Sequence, residues 1–271
     1  MRILVSGGSG FIGRALVNLL LKSHHSVWVY THKNNFINNL DFVKNVTVIT
    51  NTDFFPDVDI IVNLSGEAID KYPLTKSRLK KILSSRIDTL EILKNKYSNR
   101  LPNHLLQASA TGIYIQGKNI DENSSIDNTV YSNLCYEIEK KAKNIPCTGV
   151  TLLRLGVVIG DNGGLVRNLK YLPRPYIIDG NNKVPYICLD DCVKAILFTI
   201  ENKIYGPVNL CCDNFLNVNE ILKLCKPNSF LNIPCLKPLL KLDKRAQLLL
   251  TNQEITPKKL IENGFVFTKF K

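Results

Sequence analysis

The sequence predicts an α/β fold built on a doubly wound parallel sheet, with a smaller lobe from the C-terminal part of the chain. Three observations carry this. Short apolar, β-branched runs alternate with helical periodicity through the first two thirds of the 271 residues. The first run, Ile3-Leu4-Val5, passes directly into glycines at 7, 10 and 13 and then into a helical stripe. From about Gly160 the texture changes, with Gly163, Gly164, Pro173, Pro175, Gly180 and Pro185 breaking up a loop-rich stretch.

In chain order, residues 3–6 form the first predicted strand. A helix follows over 11–22, with Ile12, Ala15, Leu16, Leu19 and Leu20 on one face. Residues 26–30, 47–49 and 60–64 read as further strands, 76–97 as a helix and 104–108 as the next strand. A helix over 130–143 and a strand over 151–155 complete the alternation. Beyond it, 218–225 and 244–250 carry short helical patterns. Residues 1–160 are expected to form the core. Residues 161–271 are expected to form a lobe over it, with some sheet elements returning to the core.

The strand–glycine–helix order predicts a phosphate-binding crossover. Gly7 allows the tight turn, Gly10 lets backbone approach a pyrophosphate, and Gly13 lets helix and strand pack closely. The helix N-terminus then faces the anion. A Rossmann-like dinucleotide site is the expectation. A strand ending near Tyr30 would contact the adenosine ribose. No carboxylate follows it; Thr31, His32 and Lys33 do. An acidic residue there would select NAD, whereas a cation accommodates the 2′-phosphate of NADP(H), which is the predicted cofactor.

Composition narrows the class. Hydrophobic residues make up 45% and charged residues 21%, as in a globular domain. No uninterrupted apolar run reaches membrane-spanning length. The opening strand runs straight into the glycine turn, which reads as no removable leader. The net charge is +12, but the lysines are dispersed and no basic run is interleaved with aromatics, so nucleic-acid binding is not expected. The eight cysteines form no CxxC pair and no zinc spacing. They read as reduced apolar fillers in a cytoplasmic protein, with no metal site.

At this point the motifs match a family. The chain resembles the extended and atypical short-chain dehydrogenase/reductases, and more narrowly the YfcH-type (SulA-like) epimerase family. The resemblance rests on the turn at Gly7–Gly13, Asn63-Leu-Ser-Gly-Glu67, Ser85-Arg86-Ile87 and Ala108-Ser-Ala-Thr-Gly-Ile-Tyr114. It continues through Leu134-Cys135 with Glu139, Arg154-Leu-Gly-Val-Val158, Gly163-Gly164-Leu165, Asp190-Asp191, Leu248-Leu-Leu-Thr251, Pro257 and Gly264-Phe265. It implies cofactor roles for Gly7, Gly10, Phe11, Ile12 and Gly13 at the pyrophosphate, and for Thr31 and His32 at the ribose. It also implies roles for Leu64, Ser65, Gly66 and Glu67 along the dinucleotide, for Arg86 as a polar contact and for Val158 at the nicotinamide end. The family's histidine before the acidic pair is Cys188 here, which puts that role in doubt.

Tyrosine and lysine spaced YxxxK move the proton in ordinary short-chain reductases, the lysine charge lowering the phenol pKa. The literal match here is Tyr136 and Lys140. Val130, Leu134, Ile138 and Ala142 mark a buried stripe on that helix. Tyr136 and Lys140 point about 200–240° away from Leu134, on a face shared with Ser132, Asn133 and Lys143 that reads as solvated. The resemblance instead places Tyr131 at the tyrosine position and Cys135 at the lysine position. Tyr131 is therefore the candidate acid/base, and Ser109 or Thr111 the substrate-orienting hydroxyl; local backbone bonding is an equal reading of both. His24, His25 and His104 are expected at surfaces or in loops. Asp190 and Asp191 are expected to cap a helix beginning near Cys192, and Cys188 is a weak candidate for a reactive thiol.

Two functions follow. One is an NADP-dependent oxidoreductase or epimerase-like enzyme acting on an unidentified small molecule. The other is a non-catalytic NADP-binding sensor or scaffold, which the missing lysine favours. A homodimer is the expected assembly.

Overall fold

The structure is a computed structural model, which describes residues 1–31, 46–69, 72–161, 163–169, 173–240 and 249–268. His32, Lys33 and most of the 244–250 helical pattern lie outside the described residues.

In chain order the elements begin with β1 (Arg2–Ser6), α1 (Phe11–Lys22), β2 (Ser26–Tyr30), β3 (Thr47–Ile49), β4 (Ile60–Asn63), α2 (Lys76–Lys96) and β5 (His104–Ala110). There follow β6 (Gly117–Ile120), α3 (Val130–Lys143), β7 (Gly149–Leu155), β8 (Val157–Ile159), α4 (Gly164–Leu169), β9 (Arg174–Ile177) and β10 (Tyr186–Cys188). The last are α5 (Leu189–Glu201), β11 (Gly206–Leu210), α6 (Val218–Cys225), β12 (Asn232–Cys235), α7 (Lys237–Leu240), β13 (Gln253–Ile255) and α8 (Lys258–Glu262).

Seven strands form the central sheet in the order β11-β7-β5-β4-β1-β2-β3. Every neighbouring pair is parallel. This is a Rossmann-like, doubly wound sheet. β1 shows how the sequence builds it. Ile3, Leu4 and Val5 are all fully buried, because a central strand is covered on both faces. Ile3 and Val5 pack into the core on the α1–α5 side, whereas Leu4 packs into a second core with residues of α2. The two-residue alternation of a strand thus separates the layers.

Strand order reverses between β1 and β4, so their carboxyl ends open the crevice where ligands bind in this architecture. α1 buries Gly13, Leu16, Val17 and Leu20 against the sheet, at one-turn spacing. α2 starts at the cap Thr75, whose side chain accepts from the Arg78 N–H.

Several expectations are corrected. The predicted strands omit β11, an edge strand of the central sheet, because Pro207 and a short apolar stretch disguise it. His104 is no surface residue: it is buried in β5, edge-on to Tyr205 and 2.7 Å from the Thr151 hydroxyl. Ser132 is fully buried rather than solvated, because it closes a capping box with Thr129 at the start of α3. Val130, placed in the buried stripe, is 58% exposed as the first residue of α3, with no helical turn before it to cover it. α5 begins at Leu189, not near Cys192, and its cap is the Cys188 sulfur, which accepts from the Asp191 N–H. Asp190 and Asp191 sit in the first turn, where the helix dipole favours a negative charge.

The eight cysteines are free; Cys135, Cys192, Cys211, Cys212 and Cys225 are buried. Among the described residues no helix is long and apolar enough to cross a membrane, and no three His, Cys, Asp or Glu side chains are gathered to hold a metal ion.

Candidate active site

The glycine turn sits at the strand-order reversal. Gly7 has φ +79°, and a Cβ there would lie 2.7 Å from the Ser65 nitrogen on the β4 side. A Cβ on Gly13 would lie 2.2 Å from the Gly7 carbonyl oxygen. The Gly10 N–H donates to that same carbonyl at 2.9 Å, and Gly10 caps α1 without a side chain. Side chains are thereby kept out of a cradle at a helix N-terminus, which is the geometry that receives phosphate oxygens. Ile12 follows in the first turn. Phe11 directs its ring away, onto the turn after β8: a Cβ on Gly163 would lie 2.0 Å from its ring. Val158 stands on β8, beside this turn.

The segment after β4 forms the next wall. Leu64 and Ser65 follow the Gly7 turn closely, and the Ser65 hydroxyl donates to the Asn63 side-chain Oδ1 at 2.6 Å. Gly66 has φ +153°, and a Cβ there would lie 2.6 Å from the Arg86 guanidinium carbon. Arg86 donates to the Glu67 and Ile82 carbonyls at 3.2 and 3.0 Å. The Glu67 N–H donates to Ser85, and the Glu67 carboxylate receives Arg78 at 2.9 Å. α2 therefore holds the 64–67 segment through Arg78, Ser85 and Arg86. Burial lowers the Arg86 pKa, opposed by the charge of Glu67. Thr31 lies at the end of β2, its N–H bonded to the Ile49 carbonyl.

At the end of β5 the structure brings Ser109 and Cys135 together, and Thr111 follows in the next turn. Tyr131 is part-buried on α3, with Cys135 buried one turn on. Tyr136, in contrast, is 45% exposed and Lys140 is exposed, so the literal YxxxK lies on a solvated face of α3. Burial pushes the Cys135 thiol up to about 11, and Glu139 adds to this. At neutral pH Cys135 supplies neither the positive charge of a lysine nor a thiolate.

Ser109 donates to Glu139 Oε1 at 2.8 Å. Glu139 receives Arg154 on both oxygens, at 2.9 and 2.8 Å. Arg154 also donates to the Tyr114 hydroxyl at 2.7 Å, which in turn donates to Asn209. Burial opposes the Arg154 charge, but its bonds to Glu139 outweigh that and raise its pKa. Burial likewise pushes the Tyr114 phenol up to about 12. Sequence reading missed Arg154, Tyr114 and Asn209 as a network. The available signal was a charge inside the apolar strand 151–155, which demands a buried partner.

Residues 3–211 match the model of the NAD-dependent epimerase/dehydratase family. The chain belongs to that family. Among its curated relatives is the epimerase family protein YfhF of Bacillus subtilis, 26% identical over 99% of this chain and 94% of the relative. The epimerase family protein SAR0825 of Staphylococcus aureus is 27% identical over 97% and 94%. Among solved structures, the human epimerase family protein SDR39U1 with NADPH superposes with a TM-score of 0.84 at 25% identity, covering 99% of this chain and 95% of that one. A UDP-glucuronic acid 4-epimerase from Bacillus cereus with NAD shares the fold, with a TM-score of 0.75 at 18% identity over 100% and 94%. Membership in the epimerase family accounts for the glycine cradle at the strand-order reversal. A nucleotide cofactor is therefore the group against which the cradle is to be judged, and its excluded Cβ positions fit one.

Proposed function

We propose that this epimerase-family chain binds NADP(H) and acts as an oxidoreductase or epimerase-like enzyme on a small molecule. The carrying observation is the side-chain-free cradle of Gly7, Gly10 and Gly13 at the head of α1. The NADPH in the human relative supports the choice of cofactor, as do the uncharged Thr31 and the cation Lys33 after β2. Bound cofactor would supply hydride chemistry. The first turn of α1, with Phe11 and Ile12, would hold the pyrophosphate. Leu64, Ser65, Gly66, Glu67 and Arg86 would line the dinucleotide, with Thr31, His32 and Lys33 at its adenosine end and Val158 at its nicotinamide end. Tyr131 would move the proton, with Ser109 orienting the reacting oxygen. The eight free cysteines support a cytoplasmic setting.

A second reading, a non-catalytic NADP-binding sensor or scaffold, is favoured by the neutral Cys135 beside Tyr131. Calorimetric titration of nucleotide-free protein with NADPH and NADH tests both readings. Micromolar NADPH binding with weaker NADH binding is expected; binding of neither removes both. Lys33→Ala should weaken NADPH more than NADH. Once a substrate is found, Tyr131→Phe separates the two readings, since unchanged turnover would eliminate the tyrosine mechanism.

A further inference from the structure

The two hydroxyls at the end of β5 have both committed their protons inward. Ser109 donates to Glu139 at 2.8 Å, and Thr111 donates to the Leu155 carbonyl at 3.3 Å. The direction of the first bond is forced. Arg154 grips both Glu139 oxygens, and Glu139 and Arg154 side chains are only 3% and 5% exposed. A carboxylate bound in this way is an acceptor at both oxygens and has no proton to give. A serine hydroxyl carries one proton and two lone pairs. Turning the Ser109 proton into the cleft would leave its oxygen facing a carboxylate oxygen at 2.8 Å with no hydrogen between them. Ser109 keeps 8% of its surface exposed, so lone pairs are what it can offer a ligand.

We propose that Glu139, locked by Arg154, is a positioning residue that fixes Ser109 as a hydrogen-bond acceptor, so that this end of the cleft selects a ligand hydroxyl over a carbonyl oxygen. The proposal rests on the oxidoreductase reading for the identity of the cleft. It gives the substrate-orienting hydroxyl expected at Ser109 an accepting role.

Neutron diffraction from perdeuterated crystals tests it directly. The Ser109 deuteron is expected on the line to Glu139 Oε1; a deuteron aimed into the cleft overturns the proposal. The second measurement uses cyclohexanol and cyclohexanone as probes against the NADP-loaded protein, by ligand-detected NMR. The alcohol should bind about 10-fold more tightly than the ketone. Glu139→Gln alone strands the Arg154 charge, so the Glu139→Gln/Arg154→Met variant is the comparison. Its carboxamide can donate to Ser109 and release the serine proton, so the alcohol preference should vanish or reverse. An unchanged preference, or a ketone preference in the wild type, sinks the proposal. Failure of the wild type to bind NADPH would remove the oxidoreductase reading while leaving the deuteron position decisive, so the two failures are told apart.

Discussion

Arg154 and Glu139 meet as a two-pronged ion pair in the interior, with Nε and Nη2 at 2.9 and 2.8 Å from the two carboxylate oxygens. The pair joins β7 to α3 and reaches Ser109 on one side and Tyr114 on the other. Removing one partner strands a buried charge, whereas removing both does not. Arg154→Met is therefore expected to cost about 3–5 kcal/mol. For a chain of this size that lowers Tm by roughly 5–9 °C. Calorimetric melting of Arg154→Met beside the double variant with Glu139→Gln checks this: the double variant should recover part of the loss.

The cradle predicts a sharp contrast between two glycines. A Cβ on Gly13 would lie 2.2 Å from the Gly7 carbonyl, whereas a Cβ on Gly112 would meet nothing within 4 Å. Gly13→Ala should destabilise the fold by about 1–3 kcal/mol and weaken NADPH binding about 10-fold or more. Gly112→Ala should leave stability within about 0.5 kcal/mol of wild type. Urea unfolding with nucleotide titration measures both effects.

His104 gives the fold a pH dependence. Burial lowers its pKa from 6.5 to about 4. The Thr151 hydroxyl donates to the Ile204 carbonyl, so the ring donates from Nε2, and burial keeps it neutral. Above pH 6.5 neither folded nor unfolded chain carries this proton, and the stability is complete. As pH falls from 6.5 toward 4, the unfolded chain takes up a proton that the folded one refuses, so stability is lost. Between pH 7 and 5 this amounts to about 2 kcal/mol. Urea unfolding of wild type against His104→Asn across that range should show the difference, and parallel curves would refute it.

Cys188 is a half-buried thiol at the start of α5, and burial pushes it up to about 11. Its thiolate population at pH 7.4 is then far below that of free cysteine. Alkylation by iodoacetamide should run about 100-fold or more below free cysteine. Mass-spectrometric mapping over time reads this at the residue itself.

The parallel sheet, the glycine cradle and the solvated face that carries Tyr136 and Lys140 are all legible along the chain. Each of these is written in local periodicity or in residues a few positions apart, and local geometry fixes them. The 3.6-residue repeat of α1 and the buried run Ile3-Leu4-Val5 needed no distant partner to be legible. Tertiary structure alone decided the rest. Ser132 is buried because its hydroxyl caps a helix, and Cys188 caps α5 through its sulfur. His104 is interior because Tyr205 covers it from a distant part of the chain. Ser109 faces Glu139 because Arg154, on a neighbouring strand, holds that carboxylate in place. These roles depend on which groups share a low-dielectric interior, where an unpaired charge or hydroxyl is costly. Periodicity along the chain carries no record of that pairing.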